Sequence, residues 1–299
     1  MNKIEVVNLS HFYQDGMQMK KVSGIELIAY VTVTLTALCC IVPFIYIVSV
    51  SLTAQEVYVP FEFHLIPKKL SLENYVYVLK NDAFITALFN TVFVTIVGTL
   101  LCVSVTFTFA YALTKREMPG YRFMIGMVIA SMLFNPGIVS LFLTVKSFGL
   151  LNTRWALIIP VLSSYYYVIL AKTSIAGIPM ELEEAARIDG ANDLKIFFSI
   201  VIPLSKAVLA TLVLFLAVYH WNVYFNSVVY INDSKLRTLQ VYVKTLIIDN
   251  AVDSIDVEKV PSELIRYATV VLAMLPIIVV YPFLQKHFVK GVMVGSVKG

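Results

Sequence analysis

The residues able to do chemistry gather in two places. Residues 178–203 read IPMELEEAARIDGANDLKIFFSIVIP and hold Glu181, Glu183, Glu184, Asp189 and Asp193. Acidic side chains on a surface helix can pair with a basic partner. The second cluster is Tyr219, His220, Trp221, Asn222, Tyr224 and Asn226, set in a strongly apolar stretch. Asn222 and Asn226 are i and i+4 and share a helix face, with Tyr219 three residues before Asn222. Such a face can hydrogen-bond the hydroxyls of a passing solute and stack aromatic rings on it. Asn and His also bond between helices, and Trp and Tyr gather at membrane interfaces, so packing and anchoring stand beside pathway lining. Asn135, next to Pro136, is a further candidate, either as a pathway group or as a local helix break. Catalysis finds no machinery. There is no G-x-x-x-x-G-K-[ST] phosphate loop; residues 291–298 (GVMVGSVK) have the wrong spacing. There is no H-E-x-x-H, and His11, His64 and His287 stand apart as surface residues. Cys39, Cys40 and Cys102 lie in apolar runs and read as small apolar side chains. No catalytic residue, metal ligand or resident cofactor is expected.

The elements that must position these groups follow from composition. Of 299 residues, 59% are hydrophobic and 14% charged, and the mean hydropathy is +0.82. Soluble domains carry roughly 25% charged residues, so the chain is an integral membrane protein. A net charge of +4 without a basic tract excludes a nucleic-acid partner. A membrane helix needs about 20 apolar residues, and six stretches qualify: 27–50, 83–113, 123–145, 155–171, 208–230 and 267–288. The fourth is weakened by Pro160, Ser163, Ser164 and the run Tyr165, Tyr166, Tyr167, which reads as an interface or packing feature. The first is too long for a signal peptide and lacks a prompt cleavage site, so it is expected to remain as an anchor. The charge bias between loops is weak. Lys20 and Lys21 before the first span, and Lys115 and Arg116 after the second, favour a cytoplasmic N-terminus, and an even number of spans returns the C-terminus to the same side. The organisation is then a cytoplasmic segment 1–26, a six-helix domain 27–288 and a cytoplasmic tail 289–299.

Residues 178–203 spell out their own local structure. Pro179 suits a first helical turn. Glu181, Glu183 and Glu184 complement the positive end of the helix dipole. Gly190 stands where a helix would end in the left-handed conformation, and Asn192 can cap a second helix running from Asp193 towards Pro203. Leu182, Ala185, Ala186 and Asp189 fall on one face. Two alanines flatten it so that another surface can approach closely. An amphipathic helix lying on its own bundle, or on lipid, would show the same pattern.

Here a resemblance enters. Glu184-Ala185-Ala186-x3-Gly190-x9-Ile200-x-Ile202-Pro203 resembles the EAA loop of importer-type ABC transporter permeases, E-A-A-x3-G-x9-I-x-L-P, with Ile202 in place of Leu. Residues 187–231, 70–79 (LSLENYVYVL), 89–99 (FNTVFVTIVGT), 110–116 (AYALTKR) and 281–299 resemble the carbohydrate-uptake branch, the relatives of the smaller maltose permease subunit. Two stretches depart from that branch: Asn135-Pro136-Gly137-Ile138-Val139-Ser140, and Leu236-Arg237-Thr238-Leu239-Gln240. The resemblance implies an all-α, polytopic membrane protein with six transmembrane helices and the type I ABC importer permease (MetI-like) fold. It implies a second permease subunit, two ATP-binding subunits that hold the ATP and Mg, and an extracytoplasmic solute-binding protein. It makes 178–203 a coupling element. Glu184 would pair in the ATPase cleft, Ala185 and Ala186 would allow close docking, and Gly190 would make the turn. Asp189 would cap or contact the partner, and Pro203 would set the entry angle of the fifth span. The tail 289–299 would reach the ATPases or fray. Asn135, Tyr219, His220, Trp221, Asn222 and Asn226 would be the pathway candidates. The expected cargo is an oligosaccharide, with a peptide or other small solute as the alternative. An intramembrane enzyme would need acidic pairs or a nucleophile and base within the spans, which hold almost no acidic residues. A passive channel is the remaining class.

Overall fold

The computed structural model describes residues 24–60, 62–134, 136–248 and 263–296, with 281–296 as backbone only. Among the described residues the chain is helical, and its one β-type contact is an antiparallel bridge between Thr53 and Leu70. The helices are α1 (Gly24–Ser51), α2 (Glu73–Leu79), α3 (Asp82–Ala112), α4 (Tyr121–Leu133), α5 (Gly137–Ser147), α6 (Tyr165–Ile175), α7 (Met180–Ile188), α8 (Asp193–Leu204), α9 (Lys206–Trp221), α10 (Phe225–Tyr230), α11 (Leu239–Ile248) and α12 (Glu263–Ser296).

The long helix α3 is the axis of the bundle. Asn81 starts it, its Oδ1 accepting the backbone N–H groups of Ala83 and Phe84. Phe84, Ala87, Thr91, Val94, Gly98, Cys102 and Ala110 are buried along it, a stripe with the three-to-four spacing of one helix face. Its 31 residues span about 46 Å, more than the roughly 30 Å of hydrocarbon. The second helical wall is α9, whose Val208, Leu212, Leu216 and His220 recur every four residues and are buried. Gly98 has no side chain, and the imidazole of His220 fills that gap. At one end of the bundle Phe107, Tyr111, Ala171, Ile175, Ile196, Phe197 and Leu212 form one core. Val94, Val145, Leu157, Tyr230 and Ile231 form a second. Near the start of α12, the Tyr58 hydroxyl donates to the Glu263 carboxylate; burial, and then that carboxylate, hold the phenol above its usual range.

Among the described residues, only α1, α3 and the first 18 residues of α12 (Glu263–Val280) are unbroken and apolar enough to cross a membrane. Two of the other expected spans break where the sequence had weakened them, 123–145 beside Pro136 and 155–171 near Pro160, Ser163 and Ser164, and 208–230 is corrected from one helix to two. The first divides into α4 and α5, because Phe134 turns to extended backbone (φ −113°, ψ 116°) before Pro136. Asn135 lies outside the described residues. The second is two short turns, Arg154–Leu157 and Ile159–Val161, followed by α6 at 51°. The residues between carry no helical structure around Ser163 and Ser164. The third ends at Trp221, and α10 follows as a separate short helix. Its start is also displaced, since α8 and α9 meet at 81° at Ser205, two residues after Pro203. Helix α12 runs on to Ser296, through the expected boundary at 288. Lys20 and Lys21 lie outside the described residues.

Candidate functional site

Residues 178–204 fold as a helix, a turn and a second helix, held by bonds that the sequence dictates locally. Pro179 is the residue before the first helical turn rather than part of it, and α7 begins at Met180. Gly190 sits at φ +80°, a conformation that costs residues with a Cβ and costs glycine little. The N–H of Gly190 donates to the Arg187 carbonyl at 3.0 Å, and that of Ala191 to the Ala186 carbonyl at 2.9 Å. This pair of bonds is the Schellman closure of a helix end. Asn192 Oδ1 then accepts the Lys195 N–H at 2.9 Å and opens α8. Across the turn Arg187 pairs with Asp193.

The turn is fastened to the bundle from one side. In α8 the stretch Phe197–Val201 is a π-helical turn. The ring of Phe197 lies 5.1 Å from that of Tyr111 and 5.7 Å from that of Phe107, both on α3. Ala186 and Ala191 pack against the same core. Lys115, in the turn after α3, pairs with Glu183 and lies 4.8 Å from the centroid of the Tyr111 ring. The other side is bare. Glu184, Ala185, Asp189, Gly190 and Pro203 are exposed, and Glu184 makes no ion pair among the described residues. Met180, Ile188, Leu194 and Phe198 are apolar and each more than 60% exposed. The expected single face of Leu182, Ala185, Ala186 and Asp189 is therefore divided. Ala186 faces the chain's own core, and Ala185 faces out.

The aromatic and amide cluster does not share one face either, because α9 stops at Trp221 and the helical spacing from Asn222 to Asn226 is interrupted. His220 is fully buried, with Nε2 3.5 Å from Cys102 Sγ, and it packs between α3 and α9, the helix-packing alternative for this cluster. Trp221 is 7% exposed and borders an apolar cavity of about 230 Å³ between α3, α9 and α12, along with Thr95, Val218 and Pro276. Asn222 is exposed and returns its Nδ2 to the Val218 carbonyl at 2.8 Å, closing its own helix. Tyr219 and Asn226 remain together, 3.4 Å apart across the break, with the amide donating to the phenol oxygen.

The structure adds a polar hub that the sequence reading passed over. Asn90 is fully buried on α3. Its Nδ2 donates to the carbonyls of Lys235 (2.8 Å) and Arg237 (3.1 Å), and its Oδ1 accepts Arg154 Nε at 2.8 Å. Thr91 Oγ1 accepts the Leu239 N–H at 2.7 Å. Asn152, at φ 60°, accepts the N–H groups of Asn232 and Asp233. These residues fold the segment after α10 back over the end of α3. The readable signal was Asn90-Thr91 inside an apolar run, since lipid cannot satisfy such groups.

Comparison with known proteins identifies the family of this helical chain. A family model described as the inner membrane component of binding-protein-dependent transport systems matches residues 120–294. The chain belongs to this family, the permease subunits of ABC importers. It is 39% identical to the polygalacturonan/rhamnogalacturonan transport system permease protein YtcP of Bacillus subtilis, over 92% of this chain and 98% of that one. It is 41% identical to the protein LplC of the same organism, over 87% and 90%. The fold also matches a crystal structure of a bacterial ABC transporter involved in the import of the acidic polysaccharide alginate. The TM-score is 0.83 at 31% identity, covering 91% of this chain and 99% of that one.

Proposed function

We propose that this chain forms half of the translocation pathway of an ATP-driven importer for an oligosaccharide, and that residues 178–204 couple it to the ATPase. The observation that carries the coupling role is the contrast within one short helix. Glu183 and Ala186 are fixed to the chain's own bundle, while Glu184 and Ala185, one residue along, are left bare beside exposed Ile188 and Leu194. An exposed carboxylate with exposed Met180 and Ile188 one helical turn either side of it fits a concave, partly basic cleft. The partners are a second permease subunit, two ATP-binding subunits that hold ATP and Mg, and an extracytoplasmic solute-binding protein. Both termini then lie in the cytoplasm, and this chain hydrolyses nothing. Closure of the ATPase dimer would move the turn as a rigid body and, through Phe197 and Tyr111, the end of α3 with it. The carbohydrate cargo rests on the relatives, one named for polygalacturonan and rhamnogalacturonan transport and one solved as an alginate importer. Tyr219 and Asn226 are the pathway candidates that the geometry leaves paired and reachable.

The test is Glu184→Lys. The variant is expected to insert in the membrane at normal levels and to lose at least about 90% of the ATPase subunit on purification in detergent, the effect of about 1.4 kcal/mol or more at an interface anchor. Normal retention of the ATPase would remove Glu184 from the docking surface. Cargo is decided separately, by titrating the cognate solute-binding protein with oligosaccharides and with peptides. Peptide binding without oligosaccharide binding would overturn the carbohydrate assignment.

A further inference from the structure

We propose that Lys115 is a positioning residue for energy coupling, and that its ion pair with Glu183 is the strut joining the coupling helix to the axial helix α3. The inference rests on the coupling role of residues 178–204 and goes beyond it, because Lys115 lies outside that loop, in the turn after α3. Its backbone is fixed. Leu113 N donates to Phe109 O, Thr114 N to Tyr111 O and Lys115 N to Ala112 O, at 3.0, 3.0 and 3.1 Å, so the chain leaves α3 through consecutive tight turns. Its side chain is fixed as well, with the ammonium pairing with Glu183 Oε2 and lying over the Tyr111 ring. The Lys115 and Glu183 side chains retain 29% and 14% of their exposure. A pair this far removed from water is screened less than the exposed Arg187–Asp193 pair across the turn.

Neighbouring carboxylates therefore divide the work. Glu184 looks outward, and Glu183 looks inward. Among the described residues, Lys115–Glu183 is the ion pair that joins α7 to a part of the chain outside its own turn. The other links from this region to the core around α3 are apolar, through Ala186, Ala191, Ile196, Phe197 and Val201. The packed rings hold α8 against α3, and Ala186 is too small to interlock α7 in the same way, so the charge pair supplies the point-to-point tether between α7 and the turn after α3. The strut converts a push on α7 into displacement of α3 rather than slippage of α7 beneath it.

The experiment is a charge swap in the full complex with both ATPases and the binding protein, reconstituted in proteoliposomes. Stimulation of ATP hydrolysis by loaded binding protein, and solute moved per ATP, are normalised to assembled complex. Lys115→Glu and Glu183→Lys are each expected to keep the ATPase on purification and to lower the stimulation by at least about fivefold, the lower end of typical coupling between distant sites. The double variant is expected to recover at least half of it. A purely structural pair would reduce the amount of complex and leave stimulation per complex unchanged, which overturns the proposal. So does a double variant no better than the singles. If the single variants fail to assemble, assembly and stimulation of the double variant decide: recovery of both supports the strut, and recovery of neither, or of assembly alone, overturns it. The docking reading fails differently. Retention of the ATPase by Glu184→Lys sinks that reading alone, while unchanged stimulation in Lys115→Glu sinks the strut alone.

Discussion

Gly98→Val is expected to lower the thermal unfolding midpoint of the detergent-purified chain sharply and to reduce the monodisperse fraction. A Cβ at residue 98 would stand 2.8 Å from Cε1 and Nε2 of His220, closer than real Cβ contacts come, and 3.0 Å from its Cδ2. The ring cannot step aside easily. It is fully buried, its Nε2 faces Cys102, and its helix is held against α3 by Leu212 and Leu216. Either the ring leaves its rotamer or α3 and α9 separate, at a cost of about 1–3 kcal/mol for a tightly packed site, and more for the branched valine. Thermal unfolding followed by tryptophan fluorescence measures it. Gly98→Ala combined with His220→Ala should recover much of the loss, because the second change empties the space that the first one fills. An unchanged midpoint in Gly98→Val would contradict the close approach of the two helices. The same pair of variants bears on His220: a packing residue changes stability, whereas a pathway residue would change cargo affinity with stability intact.

Asn90→Leu carries the second large expectation. Leucine matches asparagine in size but leaves the Lys235 and Arg237 carbonyls and the Arg154 Nε without their partner. Each buried group so stranded costs roughly 1–3 kcal/mol. Water at these part-buried groups relieves some of the penalty but does not replace the three bonds that tie the segment to α3. The segment folded over the end of α3 should therefore loosen, and trypsin reports it directly, since Lys235 is exposed and Arg237 half-buried. Cleavage after Lys235 or Arg237 is expected to quicken by about tenfold or more, the factor that 1.4 kcal/mol of local opening gives when opening precedes cleavage. Cleavage at the parental rate would mean that the hub does not hold this segment. Asn90→Asp should also open it, since the carboxylate keeps Arg154 but cannot donate to either carbonyl.

The coupling loop was legible because its instructions are local. Gly190 makes the left-handed turn, Asn192 caps α8, and the second helix starts at Asp193. Each outcome depends on neighbours within a few residues, and Pro179 missed by a single position. The long apolar helices α1 and α3 were legible for a related reason, since length and hydropathy decide whether a helix can span. What failed was continuity. A hydropathy window averages over about 19 residues and cannot see α9 stopping at Trp221, whereas Pro136 had already marked the break after Leu133. The fold-back after Trp221 is settled by Asn90, Thr91 and Asn152, which are distant in sequence. Periodicity likewise put Ala185 and Ala186 on one face. Which of the two meets the core depends on where Phe107 and Phe197 stand, and no pattern within α7 records that.

Helix α1 gives the opposite lesson to α3. None of its most apolar 18-residue window is buried by the rest of the chain; its buried residues are Ser49, Val50 and Ser51 at the far end. Within this polypeptide, the rod from Gly24 to Ile41 is asked only to be oily, not to have a shape, while Tyr46 further along packs against Phe63 and Tyr267. Exchanges among Leu, Ile, Val and Phe there should pass unnoticed by the folded subunit. The same exchanges at Val94 or Leu212 meet walls on every side. Drift over generations should therefore run fast along one rod and slowly along its neighbour.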